Sequence, residues 1–206
     1  MTPATWVTIG RMVLVPVFLV VLLSPWPDWI QAPKLVTVLQ PLIAALVFIA
    51  LAATDGVDGY LARSRGEVTT LGKFLDPLAD KILIAAALIA LVELRTLPSW
   101  VAVVILSREF IVSGLRMVAS VEGVVIAASW IGKAKTFVTI VAVVMFLIKD
   151  MTILPQVIGP TLTSAFHWLS WGVMGGAVAL TLWSAVDYFR GAAEVLIDAA
   201  GDSNRL

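Results

Sequence analysis

The sequence contains no cysteine and a single histidine, His167. Without cysteine there is no disulfide framework, no thiolate nucleophile and no sulfur-based metal site. One histidine alone makes no triad, and with Trp168 and Trp171 beside it His167 reads as a residue of a membrane–water interface. Charge is scarce as well: 14% of the 206 residues are charged, and the formal net charge is zero. No basic cluster is long enough to track a nucleic-acid backbone, so no nucleic-acid partner is expected. No internal repeat or low-complexity segment is visible, which removes support for a transporter built on duplicated halves. Arg11 precedes the first apolar run, but no small-residue cleavage site follows it, so the sequence predicts a retained span rather than a signal peptide.

Apolar residues fill the space that charge leaves. The chain is 60% hydrophobic with a mean hydropathy of +1.00, whereas soluble domains are about half apolar and about a quarter charged. The expectation is an all-α integral membrane protein, with residues 1–206 forming a single domain. Hydropathy gives six spans near residues 8–23, 39–53, 72–94, 99–119, 133–148 and 166–188, each close to the ~20 residues that a bilayer core requires. The second span should continue as a helix into the polar stretch that follows it, and a short polar tail should close the chain.

An N-terminus inside the cell puts residues 54–72, residues 117–135 and the C-terminus on the cytoplasmic side. Those segments and their flanks hold Arg11, Arg63, Arg65, Lys73, Lys81, Arg116, Lys133, Lys135, Arg190 and Arg205, against Lys34, Arg95 and Lys149 opposite. That bias obeys the positive-inside rule. It predicts a multi-pass protein of the cytoplasmic membrane whose polar stretch opens to the cytoplasm.

The polar stretch runs from Asp55 to Lys81 as D-G-V-D-G-Y-L-A-R-S-R-G-E-V-T-T-L-G-K-F-L-D-P-L-A-D-K. It carries two carboxylate pairs, Asp55 with Asp58 and Asp76 with Asp80, at the end of one apolar run and the start of the next. Spacings of three and four residues put each pair on one helix face. Four like charges gathered together repel, and a pair of hard divalent cations with oxygen ligands is the natural counter-charge. Gly59 and Gly72 leave bare backbone where a bulky ligand approaches, and Arg63 adds a phosphate-binding fork. A merely solvated acidic face would not alternate with glycines and apolar residues at a membrane boundary.

Charged residues also stand inside the later spans, where they are costly and usually functional. Arg108 and Glu109 lie within the fourth span, and Arg116 shares a helix face with Glu109 seven residues on. Two readings stay open: an internal ion pair that holds helices together, or a basic lining for a phosphate-bearing substrate. Lys133 and Lys135 open the fifth span on the same membrane side as the aspartates. They read either as substrate-binding cations or as ordinary cytoplasmic flanks.

The pattern D-x2-D-G-x2-A-R-x8-G-x3-D-x3-D is met at every fixed position by Asp55, Asp58, Gly59, Ala62, Arg63, Gly72, Asp76 and Asp80. It resembles the signature of the CDP-alcohol phosphotransferases, membrane enzymes of six transmembrane helices that are usually dimeric. Their reaction moves a phosphatidyl or similar group from a CDP-linked donor to an alcohol and releases CMP. Thr8-x-x-Arg11 with Pro16, then Ser107–Arg116 and Ser129–Thr136, resemble the bacterial branch that joins CDP-diacylglycerol to sn-glycerol 3-phosphate in phospholipid synthesis. Pro3-Ala4-Thr5-Trp6 departs from the Asn-rich start common in that branch.

The resemblance implies that Asp55, Asp58, Asp76 and Asp80 hold two divalent cations, Mg²⁺ or Mn²⁺, with Asp55 and Asp76 bridging both. It makes Asp80 the general base on the acceptor hydroxyl, consistent with the need of an unactivated alcohol for a positioned carboxylate. Gly59, Arg63, Thr69 and Gly72 are expected at the CDP donor. Arg108, Arg116, Lys133 and Lys135 are expected at the acceptor phosphate, since arginine suits a phosphate and a neutral alcohol has no use for it. The implied partners are CDP-diacylglycerol, glycerol 3-phosphate, CMP, membrane lipid and a second copy of the chain. Other acceptors remain open within the family (inositol phosphate, serine, or phosphatidylglycerol). From a different class, a cation- or proton-coupled transporter would need polar groups at mid-bilayer across several helices rather than a cluster at one boundary.

Overall fold

The computed structural model describes the backbone of residues 3–24, 34–65, 70–121 and 130–203, and the side chains of residues 10, 12–24, 38–54, 81–117, 130 and 132–190. All regular structure among these residues is helical. The elements are α1 (Pro3–Leu23), α2 (Lys34–Arg65), α3 (Thr70–Glu93), α4 (Ser99–Val121), α5 (Trp130–Ile148), α6 (Leu154–Ile158) and α7 (Pro160–Ser203). Six of these helices have 19 residues or more, and each overlaps one of the six apolar runs. The five-residue α6 is an addition: Ile153 carries no side-chain cap for it, and Pro155 stands in its first turn.

Helix α1 packs on α2 and α3, α5 packs on α2, α3 and α7, and α4 lies between α3 and α7. The core is built from large side chains set against small ones. Phe18 and Phe48 are fully buried with ring centroids 5.7 Å apart, beside Ala44 and Ala45. Ala87, Leu88 and Leu91 of α3 meet Val101 and Ile105 of α4, while Ala142, Val143 and Phe146 of α5 meet Met174 and Ala177 of α7 in the same cluster. Alanines let helix backbones approach closely, which is how helices pack where water supplies no driving force.

Polarity is inverted relative to a water-soluble bundle. Trp130, Trp168, Trp183, Phe137 and Val103 stand outside, each more than 60% exposed, whereas Lys135, Thr139, Ser170, Thr181 and Ser184 are buried. The small hydroxyls are satisfied locally: Thr139 Oγ1 donates to Lys135 O at 2.9 Å, Ser170 Oγ to Phe166 O at 2.7 Å and Thr181 Oγ1 to Ala177 O at 2.7 Å. Such bonds to the preceding turn keep a hydroxyl from being orphaned in an apolar setting. Among the described residues, Pro160–Arg190 is long and apolar enough by itself to cross a membrane, and Met12–Leu23 and Val38–Thr54 are shorter apolar stretches.

The last helix differs from its sequence-based outline, which ended the sixth span near Tyr188 and left a polar tail. The helix runs 44 residues, to Ser203. Arg190, Glu194 and Asp198 end the apolar stretch, but polarity ends a span and not a helix. No proline follows Pro160 in this segment, and its Ala, Glu and Leu residues favour the helical backbone.

Three local devices fix the helix ends. The α3–α4 corner is a Schellman turn: Arg95 N donates to Val92 O at 2.9 Å and Thr96 N to Leu91 O at 3.1 Å. Arg95 takes the left-handed conformation there, with φ 57°, and Pro98 then forbids the old helix from continuing. At the end of α5, Lys149 bonds Asp150, and Asp150 Oδ1 lies 3.3 Å from His167 Nδ1. His167 Nε2 accepts from Trp171 Nε1 at 3.2 Å, so neither imidazole nitrogen is free to serve as a base. Thus His167 joins α5 to α7, although Ser164 and Thr163 line the same cavity.

The third device joins α1 to α2. Gln40 Nε2 donates to Val21 O at 3.0 Å, Leu22 O at 3.1 Å and Ser24 O at 3.0 Å. These are carbonyls that a helix end leaves without intrahelical donors. Gln40→Met keeps the length of the side chain and removes the donor. The expected outcome is a loss of ~1–3 kcal/mol of stability, seen as a lowered midpoint of thermal unfolding in detergent.

Candidate functional site

Asp55, Asp58, Gly59 and Arg63 lie in the last part of α2, and Gly72, Asp76 and Asp80 in the first turns of α3. Helices α2 and α3 pack together and are joined by residues 66–69. The motif is therefore split between two adjacent helix ends. The side chains of these seven residues, and Thr69 altogether, lie outside the described residues. The backbone does give the register: Asp55 and Asp58 are three positions apart on one continuous helix, and Asp76 and Asp80 four positions apart on the next. Both spacings are about one helical turn, ~4.5–6 Å along the axis.

Lys81 follows Asp80, and its side chain is described. Its ammonium donates to Ser113 Oγ on α4. Ser113 stands four residues after Glu109, hence one turn along the same face. Glu109 in turn accepts from Lys135 of α5 and lies 3.7 Å from Arg108 Nη1. Arg108 Nη2 donates to Ser184 Oγ of α7. One polar seam thus runs from Lys81 in the middle of α3 through α4 to α5 and α7.

Burial sets the energetics of the seam. Side-chain exposure is 3% for Lys135, 11% for Arg108 and 19% for Glu109. A charge this deep is costly unless it is paired. Glu109 supplies the pairing for both cations. Arg108 and Lys135 against Glu109 leave one positive charge in excess among these three buried side chains. An excess of that sign suits an anion, and the two arginine and lysine donor types suit a phosphate.

The four basic-site expectations separate in space. Arg108 and Lys135 come together through Glu109, so the internal ion pair and the basic lining are the same residues. Arg116 is exposed and stands with its guanidinium 6.0 Å from the centroid of the Tyr188 ring. Lys133 is exposed and does not join Lys135. Two residues is about 200° around a helix, so one of the two must turn away when the other turns in. Lys81, Ser113, Ser184 and Tyr188 join or adjoin this seam, and the sequence pattern does not single them out for it. Lys81 looked like a topology signal, and a lone hydroxyl in an apolar helix gives no charge pattern. The one available sign was spacing: Glu109 with Ser113 and Ser184 with Tyr188 are each four apart.

Known proteins resemble this chain along most of its length. The profile of the family described as CDP-alcohol phosphatidyltransferase matches residues 1–183. A CDP-diacylglycerol–glycerol-3-phosphate 3-phosphatidyltransferase of Bacillus subtilis (strain 168) is 44% identical over 147 residues, covering 70% of this chain and 76% of the relative. A probable phosphatidylglycerophosphate synthase of Mycobacterium tuberculosis (strain ATCC 25618 / H37Rv) is 40% identical over 185 residues, with 90% and 78% covered. A CDP-diacylglycerol–glycerol-3-phosphate 3-phosphatidyltransferase of Sodalis glossinidius (strain morsitans) is 34% identical over 201 residues, with 94% and 96% covered. With the profile spanning most of its length and full-length relatives above 30% identity, the chain belongs to the CDP-alcohol phosphatidyltransferase family.

Proposed function

We propose that this enzyme transfers the phosphatidyl group of CDP-diacylglycerol to sn-glycerol 3-phosphate, giving phosphatidylglycerophosphate and CMP. The observation that carries the reading is the buried, net-positive cluster of Arg108, Glu109 and Lys135, beside Lys81, which follows Asp80 of the family motif in the chain. The names of the relatives point the same way. A neutral alcohol acceptor would leave the charge that Glu109 does not balance without an answering anion. A phosphorylated acceptor supplies one.

In this reading Asp55, Asp58, Asp76 and Asp80 hold two divalent cations, Mg²⁺ or Mn²⁺. Carboxylates are hard oxygen donors that suit such ions, and two adjacent helix ends at one-turn spacings present four of them. When bound, the cations neutralise the donor's pyrophosphate and stabilise charge on the attacking and leaving oxygens. Gly59, Arg63, Thr69 and Gly72 take the cytidine nucleotide end of the donor. Arg108, Arg116 and Lys135 orient the acceptor phosphate, with Lys133 at the mouth of the pocket.

Asp80 accepts the proton of the acceptor hydroxyl as its oxygen attacks the phosphorus that bears diacylglycerol. The new P–O bond forms while the pyrophosphate P–O bond breaks, and CMP leaves with the bonding electrons. No covalent intermediate with the enzyme is needed. The same reading makes residues 1–206 one domain with six spans in the cytoplasmic membrane, the site open to the cytoplasm, and the working unit a homodimer. The six long helices and the apolar exterior support the spans, and the positive-inside bias supports the orientation.

Purified protein in detergent, given CDP-diacylglycerol and Mg²⁺, should release CMP with glycerol 3-phosphate and not with serine or inositol 1-phosphate. Asp80→Asn should lower the rate by ~10²–10⁴-fold. Release with a different acceptor alone would refute the proposed substrate while keeping the family. A second test addresses the seam. Lys135→Met leaves Glu109 without its buried partner and should cost ~3 kcal/mol of stability. Adding Glu109→Gln should restore most of the thermal midpoint but not the turnover of glycerol 3-phosphate, because the phosphate has still lost a cation.

A further inference from the structure

Two buried polar atoms have no hydrogen-bond partner among the described residues, Arg108 Nε and the Tyr188 hydroxyl. Native interiors rarely leave such groups unpaired, and these two belong to one seam between α4 and α7. Arg108 Nη2 already donates to Ser184 Oγ. Ser184 stands one turn before Tyr188 on α7, so the two face the same side of that helix. Arg116, two turns after Arg108 on α4, sits with its guanidinium 6.0 Å from the Tyr188 ring centroid. The pair of helices therefore lines up two guanidinium groups and a phenol, with one N–H and one O–H unused.

The chemistry that answers both unused donors is an acceptor with several lone pairs and negative charge. A water molecule would meet the hydrogen bonds but not the excess positive charge. A phosphate monoester meets both. The donor's pyrophosphate is the other phosphate in the proposed reaction, but the motif that takes it is on α2 and α3. Helix α7 packs against α4, α5 and α6 instead.

Resting on the proposed reaction, we propose that the Tyr188 hydroxyl donates to the phosphate of the acceptor beside Arg108 Nε and Arg116. This makes α7 a wall of the acceptor pocket. It also makes Tyr188 a determinant of selectivity for phosphorylated over neutral alcohols, because an acceptor without phosphate leaves the phenol and the guanidinium unpaired.

Tyr188→Phe keeps the ring beside Arg116 and removes only the hydroxyl. With sn-glycerol 3-phosphate and CDP-diacylglycerol varied in turn, the KM for glycerol 3-phosphate should rise roughly 10- to 100-fold, as for loss of a hydrogen bond to a charged group. The KM for CDP-diacylglycerol and the thermal midpoint should stay at the wild-type values, and inorganic phosphate should inhibit the variant more weakly. An unchanged KM for glycerol 3-phosphate would overturn the proposal. So would a shift in the KM for CDP-diacylglycerol instead, or a joint loss of kcat and thermal stability, which would mark a purely structural tyrosine. Wild-type protein that releases no CMP with glycerol 3-phosphate would strike the underlying substrate reading, a separate outcome.

Discussion

The carboxylate of Glu109 is the constraint on which the rest of the seam depends. It is the one described anion among Lys81, Arg108 and Lys135, and it touches two of them. Without it, two cations would face each other in an apolar interior with nothing to offset their desolvation. With it, α4 and α5 are bound by a charge pair, and α7 is added through Arg108 and Ser184. The pair therefore serves packing, and under the proposed reaction it would serve the acceptor phosphate as well, since partial neutralisation leaves positive charge for an anion.

The division of labour between helices follows from that arrangement. Helices α2 and α3 carry the acidic residues near their shared connection, and α4, α5 and α7 carry the basic residues and hydroxyls. Under the proposed reaction, a pyrophosphate held through metal ions and a free phosphate monoester would have opposite needs, carboxylates for the first and cations for the second. Placing them on different helices keeps each set among its own kind. Lys81 stands at the boundary, next to Asp80 in the chain and bonded to Ser113 across it.

Much of this was legible in the sequence. The aspartate spacings carried their own helical geometry, and the backbone of α2 and α3 has the continuity they require. The apolar runs located all six long helices, because a run of that length leaves the backbone no other way to satisfy its polar groups. What the residues did not disclose was direction around a helix. Lys133 and Lys135 looked alike as flanks, yet only Lys135 turns inward to Glu109. Ser184 and Tyr188 looked like incidental members of an apolar helix, since their role arises from α4 packing beside them. The continuation of α7 to Ser203 does not show in hydropathy, because the end of an apolar run need not be the end of a helix.

The order of the residues along the chain gives the Glu109 cluster a consequence for biogenesis. Arg108 and Glu109 are adjacent, and α4 is made before the segment that contains Lys135. If α4 is one of the six proposed spans, the nascent segment would have to enter lipid carrying both charges, and a charged residue at the centre of a span costs ~2.5–3.5 kcal/mol on insertion scales. Their proximity, 3.7 Å between Nη1 and Oε1, lets the two travel as a nearly neutral unit. Only when α5 and α7 emerge does the carboxylate find Lys135 and the guanidinium find Ser184. On that reading the Arg108–Glu109 pair would act as the escort of α4 during insertion, and the later helices would take over that duty when the bundle closes.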